Sequence, residues 1–270
     1  MARVRELYRN MLTEERRGAI VGIVQEKGKV KVKELSKQFK TSEVTIRSDL
    51  KELHQRGMVF KSHGGAVLPS LVSNPTFEPE APTLQERSTR RPDEKSRIGA
   101  AAAGLVKDGE TIILDSGTTT HEIAKRIKGR KDLTVITNGV NIAAELAGNR
   151  NIQIILLGGV LRHNALSVVG HFAEEMLVQL TADKLFLAAD GCTLEYGIST
   201  SKFEESRINQ AMVGIAREKY LVADSSKFGS NSLSRIVSLW EVDGVVSDEN
   251  LSDEYRDAIK TAGLKLVLVK

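Results

Sequence analysis

All five prolines of this 270-residue chain, Pro69, Pro75, Pro79, Pro82 and Pro92, fall within one short window. Proline lacks a backbone donor and resists helix continuation. The window therefore interrupts regular structure, and the proline-free stretches on either side are left to fold. The chain reads as a first unit over residues 1–68, a linker over 69–94 and a larger unit over 95–270. A chain of this length accommodates two domains, the larger with a substantial core.

Charge divides at the same place. Residues 1–68 hold 15 Lys and Arg against 8 Asp and Glu, while 69–270 hold 24 against 27. A small unit of net +7 is thus joined to a larger one of net −3. That layout suits a chain in which one domain meets a phosphate backbone and the other does not. No apolar run reaches the roughly 18 residues that span a bilayer. The start, Met-Ala-Arg-Val-Arg-Glu-Leu-Tyr-Arg-Asn, has no apolar signal core. A single cysteine, Cys192, excludes an intramolecular disulfide framework and a Cys-rich zinc site. A cytoplasmic protein without membrane contact, metal or cofactor is expected.

Within the first unit, Thr13 can cap a helix whose Ile20, Ile23 and Val24 share one face, with Gly28 at its end. Val32, Leu35 and Phe39 define a second helix. Ser42 is a good N-cap for a third, Glu43–Gln55, closed by Gly57. Residues 59–67 read as a hairpin turning near Gly64-Gly65. At about 100° per residue, Ile46, Leu50 and Leu53 of the third helix point together into a core. Val44, Arg47, Ser48 and Lys51 point away from it. Such a face suits the major groove: Arg47 for guanine or a phosphate, Ser48 as donor or acceptor, Val44 for a thymine methyl. Lys51 and Lys61 suit phosphates, and His63 falls on the wing.

From residue 95 short apolar runs alternate with helical stretches. Strands are expected at Thr111–Leu114, 134–136, 152–157, 184–188, 220–223, 244–246 and Lys265–Val269. That alternation implies an α/β fold with a doubly wound, mainly parallel sheet. Five of these runs lead into small polar residues: Asp115-Ser116-Gly117-Thr118-Thr119-Thr120, Thr137-Asn138-Gly139, Gly158-Gly159, Asp190-Gly191 and Asp224-Ser225-Ser226-Lys227. Ligands of open α/β sheets bind at the carboxyl ends of strands, so these ends can converge on one pocket. Ser116 to Thr120 precede a helix, whose N-terminal amides and hydroxyls make a phosphate cradle. Lys95 and Lys227 offer cations. Three readings stay open from the residues alone: a sensor, an enzyme using Asp115, Asp190, Glu204, Glu205 or Lys227 for acid–base chemistry, or an architectural DNA binder without a ligand, which the polar strand ends argue against.

Several motifs taken together resemble a known family. Gly28-Lys-Val-Lys-Val-Lys-Glu-Leu-Ser-Lys-Gln-Phe, Ser42-Glu-Val-Thr-Ile-Arg-Ser-Asp-Leu-Lys-Glu-Leu, Gly57-Met-Val and His63-Gly-Gly-Ala66 are similar to the N-terminal domain of DeoR-family transcription regulators. The resemblance implies a winged helix-turn-helix with Glu43–Gln55 as recognition helix. It assigns Ser42, Val44, Thr45, Arg47, Ser48, Lys51, Lys61 and His63 to DNA. Ser48 stands where the family usually has a second arginine, which shifts the contact toward Arg47. Arg87, Lys95, Asp115–Thr120, Thr137-Asn138, Gly158-Gly159, Gly170, Asp190-Gly191 and Asp224–Phe228 match the family's sensor domain in order. That domain resembles sugar-phosphate isomerases and implies a phosphosugar effector. By this likeness Ser116, Gly117, Thr118, Thr119 and Thr120 bind phosphate. Asp115, Asn138, Asp190 and Lys227 meet the sugar or close the pocket, and Lys95, Gly158 and Gly159 complete the site. Asn209-Gln210, where many members have Lys-Arg, together with Gly197-Ile-Ser-Thr200, leans toward an amino-sugar branch. The implied function is a non-enzymatic regulator, a repressor of sugar catabolism genes. As a homo-oligomer it would bind double-stranded operator DNA and be released by a phosphorylated sugar. The alternative is an isomerase-like enzyme with a DNA-binding appendage.

Overall fold

The computed structural model describes residues 13–55, 58–62, 64–67 and 82–270. The chain forms two compact units, Met1–Ala81 and Pro82–Lys270. The first holds helices α1 (Thr13–Lys27), α2 (Val32–Phe39) and α3 (Glu43–Gln55). Its strands β1 (Lys29–Lys31), β2 (Phe60–Ser62) and β3 (Gly65–Val67) form an antiparallel sheet in the order β1-β3-β2. Ile20 and Val24 of α1, Leu35 and Phe39 of α2, and Ile46, Leu50 and Leu53 of α3 pack into one core with Val30, Val59 and Ala66. A Cβ on Gly65 would lie 2.0 Å from the Val30 carbonyl oxygen, so β3 needs glycine there to approach β1. Gly57, His63 and the linker prolines Pro69, Pro75 and Pro79 lie outside the described residues.

Residues 82–94, expected as the end of the linker, instead open the second unit. Helix α4 (Leu84–Ser88) carries a capping box: the Thr83 hydroxyl accepts from the Glu86 amide at 3.2 Å, and the Glu86 carboxylate accepts from the Thr83 amide at 2.8 Å. The Leu84 amide donates to the Asn164 carbonyl at 2.6 Å. Helix α5 (Pro92–Ala103) starts at Pro92, inside the stretch expected as linker. The first helical position needs no backbone donor, so this proline starts a helix instead of blocking one.

Seven parallel strands form the centre of this unit: β4 (Thr111–Leu114), β5 (Leu133–Thr137), β6 (Ile152–Leu156), β9 (Ala182–Leu187), β12 (Ala216–Val222), β14 (Gly244–Asp248) and β15 (Lys265–Val269). Their order is β15-β14-β12-β9-β4-β5-β6. The chain runs outward from β4 to β6, then returns to the other side of β4 and continues outward from β9. The direction of winding therefore reverses between β4 and β9. Side chains alternate across the sheet: Ile112 and Leu114 join one core, and Ile113 the other. Helices α5, α6 (Thr118–Arg126) and α7 (Val140–Leu146) cover the first face through Ile98, Ile123 and Ile142. Helices α8 (His171–Val178), α9 (Phe203–Ile215) and α10 (Asp253–Thr261) cover the second through Leu177, Met212 and Ile259. Two antiparallel additions complete the unit: the hairpin β7 (Val160–Arg162) with β8 (Ser167–Val169), and β10 (Gly191–Thr193), β11 (Gly197–Thr200) and β13 (Ser234–Val237).

Candidate functional site

On the first unit, the Ser42 hydroxyl accepts from the Thr45 amide at 3.1 Å and caps α3. The Thr45 hydroxyl lies 2.9 Å from the Ser42 hydroxyl, so these two side chains build the helix start. Beyond them α3 exposes Val44, Arg47, Ser48 and Lys51. Val44 is 73% exposed, an apolar side chain on an otherwise polar face. Arg47 is held along the helix by Glu43 at 3.0 Å. The opposite face is fixed by Asp49, buried and paired with Arg16 at 2.6 Å and Arg17 at 3.1 Å. These pairs tie α1 to α3 and orient the exposed face. The Lys61 side chain and His63 lie outside the described residues.

On the second unit, the winding reversal puts the ends of β4 and β9 side by side. The Asp115 amide donates to the Phe186 carbonyl at 3.2 Å, and the Asp115 carboxylate accepts from the Ala188 amide at 3.2 Å. Asp115 is 4% exposed. Burial, with the charge of Glu205 nearby, pushes its carboxyl up to about 7. The turn that follows is held by Asn138, whose amide oxygen accepts from the Ser116 amide at 2.9 Å and whose nitrogen reaches the Ser116 hydroxyl at 3.4 Å. Thr120 is fully buried and closes the turn on the Gly117 carbonyl at 3.2 Å. Thr118 stays at the rim, and Thr119 is buried.

Cations gather beside this turn. Arg87 of α4 pairs with Asp190, just past β9. The other Asp190 oxygen accepts from the Ser201 amide at 3.0 Å and the Ser201 hydroxyl at 2.8 Å. Burial works to raise the Asp190 carboxyl, but Arg87, Ser201 and Lys227 outweigh it and hold it below the usual carboxylate range. Buried Lys95 donates to the Arg87 carbonyl at 2.5 Å. Burial lowers its ammonium, Asp224 works against that, and Lys227, Arg87 and Arg90 lower it further. Glu205 has its own cation in Arg162 and accepts from Thr200 at 3.0 Å and Ser167 at 3.3 Å. A cavity of about 340 Å³ opens beside this region, lined among others by Lys95, Thr118, His121, Lys125 and Asn141. No group of three or more His, Cys, Asp or Glu residues is arranged for a metal ion among the described residues. Nor is any described helix long and apolar enough to cross a membrane.

Comparison with known proteins accounts for both units. Residues 16–72 match the DeoR-like helix-turn-helix domain, and residues 90–249 match the DeoR C terminal sensor domain. The chain belongs to the DeoR family. A protein of Escherichia coli O157:H7 named for transcriptional repression of the aga operon is 35% identical over 257 residues, covering 95% of this chain and 94% of that one. The regulator GolR of Listeria innocua is 32% identical over 256 residues, covering 95% and 98%. A lactose phosphotransferase system repressor of Staphylococcus epidermidis is 34% identical over 239 residues, covering 87% and 92%. Among solved structures, a ribose 5-phosphate isomerase from Plasmodium falciparum matches with a TM-score of 0.38 and 16% identity, covering 52% of this chain and 54% of that one. That likeness is too distant to speak to function. The DeoR-family chain is a transcription regulator and not an enzyme.

In this DeoR-family regulator Lys95, Asp115, Ser116 to Thr119, Asn138, Asp190 and Lys227 belong to one neighbourhood. Gly158 and Gly159 do not join it through any described contact. They follow β6 at the edge of the sheet, where the Gly158 amide meets the Met176 sulfur at 3.2 Å. Gly159 has φ +147°, and a Cβ there would lie 2.5 Å from the Val169 carbonyl oxygen. Packing against β8 of the hairpin explains Gly159. The sequence reading did not assign roles to Arg87, Arg162, Ser201 or Asn141. Arg87 lies 103 residues from its partner Asp190, a separation that local spacing cannot reveal.

Proposed function

We propose that this DeoR-family regulator represses sugar catabolism genes in the cytoplasm and that a phosphorylated sugar releases it from operator DNA. The unit up to residue 68 reads DNA, and the unit that begins near residue 82 senses the effector. The observation that carries the reading is the cavity that buried Lys95 shares with Thr118, at the start of α6. The phosphate sits at the start of α6, where free amides, the Thr118 hydroxyl and Lys95 meet it. The buried acceptors Asp115 and Asp190 take sugar hydroxyls. The names of the aga operon and lactose phosphotransferase relatives favour a carbohydrate.

On the DNA side Val44, Arg47, Ser48 and Lys51 enter the major groove, with Ser42 and Thr45 at the leading end of the helix. Lys61 and His63 contact the backbone from the wing. One such helix reads one half-site, so the active form is a homo-oligomer. Effector binding acts on DNA only if the ligand prefers one arrangement of the chain. A thermal-shift screen of phosphorylated sugars, including amino-sugar phosphates, tests the effector: at least one raises the melting temperature. No shift across the panel would contradict the reading.

A further inference from the structure

The short helix α4 differs from the other helices of the second unit in how it is held. None of its five side chains is buried, and none joins either core. Polar contacts fix it instead. The Leu84 amide donates to the Asn164 carbonyl at 2.6 Å, Arg87 pairs with Asp190, and Lys95 donates to the Arg87 carbonyl at 2.5 Å. The joint between α4 and α5 includes Arg91, a non-glycine residue with φ +49°. Such a conformation persists only where the surroundings hold it. Here the Arg91 guanidinium donates to the Ser225 hydroxyl at 3.1 Å and lies 3.7 Å from Asp224.

Leu84, Gln85 and Ser88 of α4 line the cavity of about 340 Å³ together with Lys95 of α5 and Thr118 of α6. Gln85 and Ser88 are exposed, so a ligand in the cavity can reach them. An element that rests on polar contacts, without apolar burial, opens at low cost. A ligand that touches both α4 and α6 makes some of its contacts only while α4 is closed, and it stabilises that state by mass action. The Gln85 carboxamide presents donors and an acceptor. Sugar hydroxyls answer both, whereas a phosphate dianion only accepts.

We propose that α4 is a strap over the effector cavity: it opens and closes in the free chain, and a sugar phosphate bound there holds it closed. Gln85 meets the sugar, while Lys95 and Thr118 take the phosphate. This rests on the effector reading above and adds to it the element that responds to the ligand. The second unit begins at Pro82, so α4 is its first helix after the chain leaves the first unit. The state of the strap thus sets where the chain toward the DNA-reading unit departs.

The test is amide hydrogen exchange on the full chain, read over residues 83–91 by mass spectrometry. The probes are hexose 6-phosphates and their 2-acetamido forms, each at about a hundred times its Kd. In the free chain α4 exchanges faster than α5. A bound sugar phosphate slows α4 by at least about tenfold, toward the limit of about a hundredfold that mass action sets, and leaves α10 unchanged. Thr83→Ala removes the cap and speeds α4 exchange in the free chain by about fivefold. Gln85→Ala leaves every anchor named above in place. It weakens sugar-phosphate binding by about two- to tenfold and keeps inorganic phosphate affinity within about twofold. Equal exchange of α4 with and without bound sugar phosphate overturns the proposal, as does α4 exchange as slow as that of α5 in the free chain. An equal loss for inorganic phosphate in Gln85→Ala overturns the assignment of Gln85 to the sugar. A chain that binds none of these sugar phosphates overturns the effector reading itself, which is a separate outcome.

Discussion

The buried Asp115 carboxyl makes the stability of the sensor unit depend on pH in a direction opposite to that of most carboxylates. Its folded value is about 7 against an ordinary 3.8, because burial penalises the ion and Glu205 repels it. An acid raised on folding binds its proton more tightly in the native state. Its stabilisation is therefore complete below the unfolded value and is lost as pH rises through the folded one. At roughly 1.4 kcal/mol per unit, the full loss is on the order of 4 kcal/mol, of which about 2 kcal/mol falls between pH 5 and 7. Asp115→Asn keeps an acceptor for the Ala188 amide and cannot ionise. The chain has one tryptophan, Trp240, which lies in the second unit. Its fluorescence during urea unfolding thus reports that unit alone, which matters because a two-unit chain has no single unfolding free energy. The difference between variant and wild type cancels the other titrating groups. It should grow in favour of the variant by about 2 kcal/mol from pH 5 to 7. Parallel profiles would refute the assignment of the proton to Asp115.

Three further outcomes follow from the geometry. Arg47→Ala should cost about 1–3 kcal/mol of specific DNA binding if Arg47 reads a base; an equal loss on scrambled DNA, seen by anisotropy, would show that it touches phosphate only. Gly65→Ala forces a Cβ against the Val30 carbonyl, so it should destabilise the first unit by about 1–3 kcal/mol and reduce DNA binding, while the Trp240 transition stays in place. Thr118→Asp should abolish the melting shift with sugar phosphates through charge repulsion and leave DNA affinity intact; a full effector response in that variant would misplace the phosphate.

The parts of the molecule that were legible in the sequence are those encoded by local pattern. Each of the seven sheet strands covers or overlaps its expected apolar run, since a strand buried on both faces is a continuous run with polar ends. The exposed and buried faces of α3 followed from helical period, and Ser42 from capping chemistry. Residues 82–94 were misread because proline was weighed only as a breaker. Thr83-Leu-Gln-Glu86 is a capping box in plain sight, and Pro92 sits where a helix accepts it. The short hairpin β7–β8 and the strands β10, β11 and β13 were missed, since three- or four-residue strands carry almost no periodic signal. Of the site, the strand ends were readable but their use was not. Asn138 and Thr120 turned out to hold the turn, and the pairing of Arg87 with Asp190 depends on the sheet order.

The coupling between the two units is the central claim, and operator release measures it most directly. A duplex selected by the full chain from a random library, titrated with a sugar phosphate that raises the melting temperature, should dissociate as the sensor fills. The concentration for half release should track the affinity of the sensor, because linkage is reciprocal. A chain whose sensor is saturated while its DNA affinity is unchanged would contradict the account.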